Sequence, residues 1–579
     1  MTCFETHISD LNLRFFQENK KYLLDFSQTN LIIKEVSGIN DFFTTQKQAT
    51  ELLEKIKEYS SIVSEPDRRE YGDFQTSLLL AQNVTEYVYK KDNDFEFVLE
   101  PTCGKGNFLL ASIKKFKNLK IIVGVEIYKP YVWETKFKIL EYFLSTKNIS
   151  KPEINIIHAN AFEFPYENLA ESTRNLKTLV IGNPPWVTNS VLGSINSKNL
   201  PQKSNFKNLS GFEAITGKGN FDIGEYISLI MLKCFHKNNG IFAFLIKNSV
   251  VKNIIQDQKQ NKFRISKSEK LNIDSKKEFN VSVNACLFLT HLNSKSEFIC
   301  TELDFYTRNK LTTFGWYKDK FVYSIQDYDE SSIIDGKSKF IWRSGIKHDS
   351  AKVMELEQVN DHFKNNIGEV VTLENDLIYG LLKSSDLKKD KVNNYRKLTI
   401  ITQRKVGQAT SYIKKNYPLT YNYLISHKDI FDKRKSSIYK NKPEFSIFGI
   451  GEYSFTPYKV AISGLYKSTH FTLVTPRENK PIMLDDTCYF IGFEDLKIAE
   501  IVHYLLNSEL VQKFLKSIIF SDSKRSVNKD ILMRIDFAKA FEYADFAKAK
   551  KKIKDLKKEH WETFGEMVKE NITEQMTLF

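Results

Sequence analysis

Asn183-Pro184-Pro185-Trp186, directly behind the apolar run TLVI, is the segment whose residue types make least sense as plain structure. Proline has no N–H to give a sheet and holds φ fixed, so an amide, two prolines and an aromatic at the end of a buried strand form a rigid turn that presents carbonyls. Upstream, FEFVLEPTCGKGNF combines an apolar strand, an acid at its end (Glu100), and Gly104 and Gly106 in a turn leading to a helix. Glycines let the backbone bend sharply and approach a ligand, and a helix start adds a positive pole. Such a turn alone occurs in many nucleotide-binding folds and in some structural turns. Further along, IIVGVEI ends a second strand close to Glu126, where a carboxylate can take both hydroxyls of a ribose. The two acids and the glycines together point to an adenosine-containing cofactor.

These residues need a scaffold, and the sequence between 71 and 295 supplies one. Short β-rich runs (FEFVLE, IIVGVEI, INIIHA, TLVIGN, IFAFLI, ACLFLTHL) interleave with helical stretches such as NFLLASIKKF and YVWETKFKILEYF. Strands alternating with helices predict an α/β fold with a mostly parallel twisted sheet, of the Rossmann-like kind. Residues 1–70 read as a helical lead-in, because Leu52, Leu53, Ile56 and Tyr59 recur at helical spacing. The Ser/Asn/Lys/Gly-rich stretch between Trp186 and Asp222 predicts a surface loop. Beyond 300, runs such as FIWRSGI, YSFTPYKVAISGLY and DDTCYFIGF, with a helical region at 494–518, predict a second domain of mixed α/β type. The expected division is 1–70, 71–300, 301–545 and a basic helical tail, 546–579.

Composition narrows the class. With 579 residues the chain exceeds a single small module, and 41% hydrophobic content with 23 Gly and 13 Pro describes folded protein. Lys and Arg number 85 against 71 Asp and Glu, a formal charge of +14 that suits a polyanionic partner. The six cysteines are scattered without CxxC pairs, which predicts a reducing compartment and no structural zinc. No basic leader with an apolar core and no membrane-length apolar run is visible, so a cytoplasmic protein is expected.

Asn183 to Trp186 resembles the (Asn/Asp/Ser)-Pro-Pro-aromatic motif of adenine-N6 DNA methyltransferases, and Glu100 to Phe108 resembles their S-adenosylmethionine-binding motif. Tyr71 to Ser77 is similar to the Gly-x-Phe-x-Thr-Pro segment that precedes the cofactor motif in the gamma class, with Ser77 where proline is usual. The resemblance implies a class I methyltransferase domain followed by a C-terminal target-recognition domain. It assigns the cofactor to Tyr71, Thr76, Glu100, Pro101, Cys103, Gly104, Gly106, Glu126, Ile127, Asn160, Ala161 and Asn183, with no metal. Asn160 stands where the family usually has Asp. Asn183, Pro184, Pro185, Trp186 and Phe279 are the implied catalytic group. Tyr379 to Asp386, Phe448 to Gly451, Tyr453 to Gly464 and Asp485 to Tyr489 are similar to stretches of target-recognition domains in restriction-modification enzymes.

What the resemblance implies chemically is methyl transfer to the exocyclic nitrogen of an adenine flipped out of duplex DNA. The Asn183 side-chain carbonyl and the Pro184 carbonyl would accept the two amino hydrogens, and Trp186 and Phe279 would stack on either face of the base. Arg404, Lys405, Lys524 and Arg525 are candidates for phosphates. The terminus Gln575 to Phe579 resembles the peptide by which bacterial proteins dock to the sliding clamp, and a bacterial, nucleoid-associated setting is implied. The motif before the cofactor site starts near residue 71, so a stand-alone modification enzyme is expected, without a nuclease. Methylation of RNA adenine or protein glutamine, or a catalytically silent DNA-binding subunit, remain as alternatives.

Overall fold

The computed structural model describes residues 8–58, 75–146, 150–187, 222–466, 468–520 and 525–569. Tyr71, the loop expected at 188–221, Lys524 and the terminal peptide Gln575–Phe579 lie outside the described residues. The chain forms two compact units, Met1–Phe321 and Val322–Phe579.

The first unit begins with α1 (Asp10–Glu18), α2 (Phe26–Ser37), α3 (Gln46–Glu58) and α4 (Leu78–Lys91). Then follow β1 (Phe97–Glu100), α5 (Asn107–Lys115), β2 (Ile121–Glu126), α6 (Lys129–Ser145), β3 (Glu153–His158), α7 (Tyr166–Ser172) and β4 (Thr178–Gly182). The remainder is α8 (Ile223–Phe235), β5 (Gly240–Lys247), α9 (Asn248–Asn261), β6 (Ile265–Ile273), α10 (Ser275–Phe279), β7 (Ala285–Leu292), β8 (Ile299–Asp304), β9 (Lys310–Tyr317) and β10 (Lys320–Val322). One ten-stranded sheet runs β3-β2-β1-β4-β5-β7-β6-β8-β9-β10. Its half from β3 to β5 is parallel, and β7 enters antiparallel between β5 and β6. The strands β1, β2, β4 and β5 are almost wholly buried, as strands covered on both faces must be, and they read as continuous Val/Ile/Leu/Phe runs for that reason.

Three boundaries differ from the expectation, two of them in this unit. The sheet does not stop at 300: β8 joins β6 in parallel, tied by the buried pair Lys270 and Glu302 at 3.2 Å, and β9 follows antiparallel. The N-terminal helices are also part of this unit rather than a lead-in. Phe16, Phe42 and Phe43 pack with Trp133 and Phe137 of α6 in one aromatic cluster, and the Asn12 side chain donates to the Phe137 carbonyl at 3.0 Å.

Lys136 is buried in that cluster, its ammonium donating to the carbonyls of Asp41 and Phe42 at 2.8 and 3.0 Å. Burial pushes its pKa down to about 8, against a small opposing pull from Asp41. Between that value and the ordinary 10.5 the unfolded chain holds a proton the folded one has released, so stability should rise with pH across this window. The rise should approach roughly 3 kcal/mol. Urea titrations at pH 7.5 to 10.5 check this, and Lys136→Met should flatten the slope.

Among the described residues the second unit holds two sheets. The six-stranded sheet contains β12 (Glu355–Val359), β13 (His362–Asn365), β14 (Val370–Val371), β15 (Ile378–Leu382), β17 (Lys397–Ile400) and β20 (Met483–Leu484), in the order β14-β13-β12-β17-β15-β20. The five-stranded sheet contains β11 (Arg343–Ser344), β16 (Lys391–Val392), β18 (Tyr458–Ser463), β19 (Thr472–Val474) and β21 (Cys488–Phe493), in the order β11-β21-β18-β19-β16. The basic tail belongs to this unit too. Trp561 and Phe564 of helix Lys558–Lys569 are buried, with Phe541 against both rings, so the lysines there ride on an apolar face that packs.

Candidate active site

Strand β1 has β2 on one side and β4 on the other, so the order of the parallel strands reverses there, and the crevice beyond the carboxyl ends is the natural ligand site of such a sheet. Glu100 ends β1, Glu126 ends β2 and Asn183 follows β4 directly. The scattered motifs of the sequence therefore meet because each closes a neighbouring strand.

The glycine turn is built as its composition requires. Gly104 and Gly106 have φ of +50° and +69°. A Cβ on Gly106 would sit 2.5 Å from Thr135 Cγ2, and one on Gly104 would sit 2.7 Å from Gln75 Oε1. Gly106 caps α5 without a side-chain hydrogen bond, and within the first turn the Leu109 N–H is taken by the Glu100 carboxyl. Glu126 holds the turn: its carboxylate accepts from the N–H groups of Gly104 (2.8 Å) and Tyr128 (2.7 Å). Glu126, the acid expected at the ribose, is thereby fixed in orientation by the glycine turn.

Glu100 is buried at 3% exposure, and its Oε2 has no hydrogen-bond partner among the described residues. Burial, then the charge of Glu126, holds its carboxyl well above the ordinary range. Two acids at the ends of adjacent strands suit a ligand with ribose hydroxyls and a cationic group, whose approach would return Glu100 to its ionised form. S-adenosylmethionine has both, so the residues present fit it. Cys103 is buried, its thiol pushed well up by burial and by both carboxylates.

The residues expected at the cofactor's adenine follow the carboxyl ends of β2 and β3. Ile127 and Ala161 are half-buried. Asn160 Oδ1 accepts from the Phe162 N–H at 3.0 Å, closing its own turn, so an adenine amino group would share that oxygen with the backbone. Pro101 contributes its carbonyl to the Tyr166 hydroxyl at 3.4 Å.

Thr76 joins the two motifs. Its hydroxyl oxygen accepts from Asn183 Nδ2 at 3.2 Å, and its carbonyl accepts from Asn107 Nδ2, at the start of α5, at 2.8 Å. The donor end of the Asn183 amide is thus engaged, which sets its buried Oδ1 as the acceptor. The start of α8 closes the other side of the turn: the Ile223 N–H donates to the Val187 carbonyl at 2.9 Å, and Gly224 lies under Pro184 and Pro185. Asp222 caps this helix and is paired to Lys247 at 2.6 Å.

The aromatic pair is brought together, with a correction to its geometry. Trp186 is 5% exposed and donates its indole N–H to the Leu245 carbonyl at 3.2 Å. Phe279, at the end of α10, meets it edge to face with ring centroids 4.8 Å apart. Two rings in direct contact enclose no slot, so they do not flank a base as two plates. Trp186 belongs to the buried core, and Phe279 packs against it half-buried.

Sequence reasoning missed Gln75, whose Oε1 accepts from the Lys105 N–H at 3.2 Å, and Thr135, whose hydroxyl donates to the Gly104 carbonyl at 3.0 Å. Gln75 carried a signal, since it adjoins Thr76. Thr135 carried none, being one polar residue inside a helix.

In the second unit, the recognised stretches act as braces. Ser384 Oγ donates to Thr487 (O at 2.9 Å), and Thr487 is held in turn by Asp485. Arg525 pairs with Asp486 at 3.1 Å. Among the described residues no group of three or more His, Cys, Asp or Glu could hold a metal ion, and no helix is long and apolar enough to cross a membrane.

Residues 48–275 match the family model described as N-6 DNA Methylase. The chain is 40% identical over 474 residues to the type II methyltransferase M.NspV of Nostoc sp. (strain ATCC 29411 / PCC 7524), covering 82% of this chain and 97% of that one. It is 32% identical over 137 residues to the type II methyltransferase M.CvrRI of Paramecium bursaria Chlorella virus XZ-6E, 23% of this chain and 30% of that one. Among solved structures, the type IIL restriction-modification enzyme MmeI in complex with DNA superposes with a TM-score of 0.52 at 12% identity, over 97% of this chain and 90% of that chain.

Proposed function

The chain belongs to the adenine-N6 DNA methyltransferases of restriction-modification systems, and from that membership we propose that Asn183 and Pro184 activate the amino group of an adenine extruded from duplex DNA. The family's cofactor is S-adenosylmethionine, which when bound supplies an electrophilic methyl group on a sulfonium. The observation that carries the reading is the anchored Asn183 amide, whose nitrogen is held by Thr76 at the end of the strand beside the glycine turn.

An exocyclic amino group is a weak nucleophile because its lone pair is delocalised into the ring. Asn183 Oδ1 and the Pro184 carbonyl accept its two hydrogens and draw the nitrogen toward tetrahedral geometry, with the lone pair freed. No base of shifted pKa is needed beforehand, since the proton becomes acidic only as the new N–C bond forms. Glu126 and the Gly104–Gly106 turn hold the cofactor's ribose and backbone, Glu100 faces its charge, and Ile127, Asn160 and Ala161 line its adenine.

The target nitrogen is out of reach inside a duplex, so the nucleotide leaves the stack, and half-buried Phe279 receives the base. Phe279→Ala is expected to remove about 1–3 kcal/mol of stacking. Duplexes carrying 2-aminopurine at the target position check this: fluorescence should rise with wild-type enzyme and rise less with the variant. The second unit selects the target. A 474-residue match exceeds the 321 residues of the first unit, so similarity to the Nostoc enzyme extends into the second.

Labelled S-adenosylmethionine offered to duplex DNA, RNA and protein in parallel tests the reading. Label in DNA, recovered as N6-methyladenine after hydrolysis, is the expected result. Label confined to RNA or protein, or recovered on another base, overturns it.

A further inference from the structure

We propose that the loop Gln403–Gln408 in the second unit is a base-reading element, with Arg404 and Val406 as the specificity-determining side chains. This rests on the assignment of target selection to that unit. The loop leaves β17, a central strand of the six-stranded sheet, and its tip is exposed: Arg404, Lys405, Val406 and Gly407 all face solvent. Gly407 has φ of +81°, and a Cβ there would meet nothing within 4 Å, so the tip projects into open space.

An exposed tip is ordinarily a loose one, yet this loop is fastened from beneath. Gln403 is fully buried; its Oε1 accepts from the Ile447 N–H at 2.9 Å, and its Nε2 donates to the Gln408 carbonyl. Gln408 Oε1 accepts from the Arg404 N–H at 2.7 Å, and the Gln408 N–H returns to the Lys405 carbonyl at 3.1 Å. The Arg404 guanidinium lies 3.9 Å over the Phe455 ring, with Glu452 at 3.4 Å, and it is still 54% exposed.

Phosphate contacts need charge and tolerate a flexible lysine; reading a base edge needs a planar donor held at a set angle on a backbone that does not move. A stacked guanidinium beside an exposed valine offers the two chemistries of major-groove readout, a two-pronged donor for guanine and methyls for the thymine methyl. The 45% exposure of Val406 at the tip has no packing role to explain it.

The test compares wild type with R404A, R404K and V406A on a duplex set carrying every single-pair change of the site that modified-base sequencing finds for wild type. The expected result is that both Arg404 variants lose discrimination at one base pair by about 5- to 150-fold, with thermal midpoints unchanged. V406A, at an exposed position where misfolding is not expected, should relax discrimination at a neighbouring pair. Equal loss on all duplexes with rescue by R404K makes Arg404 a phosphate contact and overturns the proposal, as does unaltered discrimination in all three variants. A wild-type enzyme that methylates no duplex would instead overturn the functional reading itself.

Discussion

Asn183→Ala is expected to lower single-turnover methyl transfer by about 10²–10³-fold, the range for removing one preorganised polar group at a reacting centre, with S-adenosylhomocysteine and duplex binding changed by no more than a few-fold. The expectation follows from where the amide is fixed. Its nitrogen is used by Thr76, so its oxygen is what the variant removes from the reaction, while the glycine turn keeps its ties to Gln75, Glu126 and Thr135. The discriminating measurement is rate against affinity. A variant that transfers methyl groups as fast as wild type would sink the mechanism, and one that loses DNA affinity instead would make Asn183 a binding residue.

Gly106→Val should act on the other partner. A left-handed backbone costs a side chain about 1–2 kcal/mol, and the new Cβ would meet Thr135 Cγ2 at 2.5 Å, where relief of overpacking costs about 1–3 kcal/mol more. Since the glycine sits at the start of α5, the shift is paid in the shape of the cofactor cradle, and affinity for S-adenosylhomocysteine by calorimetry should fall roughly 30-fold or more. Native-like circular dichroism should accompany the loss. Unchanged affinity would show that the turn is not the cofactor's seat.

Much of the first unit was legible because both faces of its parallel strands are buried. Runs such as IIVGVEI and IFAFLI had to be continuous apolar segments, and the residues that end them stand where chemistry is placed in this kind of sheet. β6 was not legible for the opposite reason. ISKSEKLNI is a nine-residue strand whose buried positions include Ser266, Ser268 and Lys270, satisfied by Thr290 and Glu302 on neighbouring strands, so its polarity hid it and the sheet was expected to end early. The tail misled in the reverse direction: lysines dominate its composition, while Trp561 and Phe564 decide its packing.

At the site, residue identities could be read but not their partners. Nothing in the spacing says that Trp186 spends its indole on Leu245, or that Asn160 closes a turn with its own carbonyl. Such contacts depend on which backbone groups the fold leaves wanting, and a sequence does not print those.

Thr76 supports Asn107 through its carbonyl and Asn183 through its hydroxyl. On the proposed mechanism, the methyl donor's seat and the acceptor's clamp are therefore surveyed from one benchmark. A shift of that peptide moves both together and alters their separation little, whereas two independent supports would let each drift add to the other. The short gap between the reacting atoms is then held by the rigidity of a single residue, and substitutions elsewhere in the crevice can vary its walls without lengthening it.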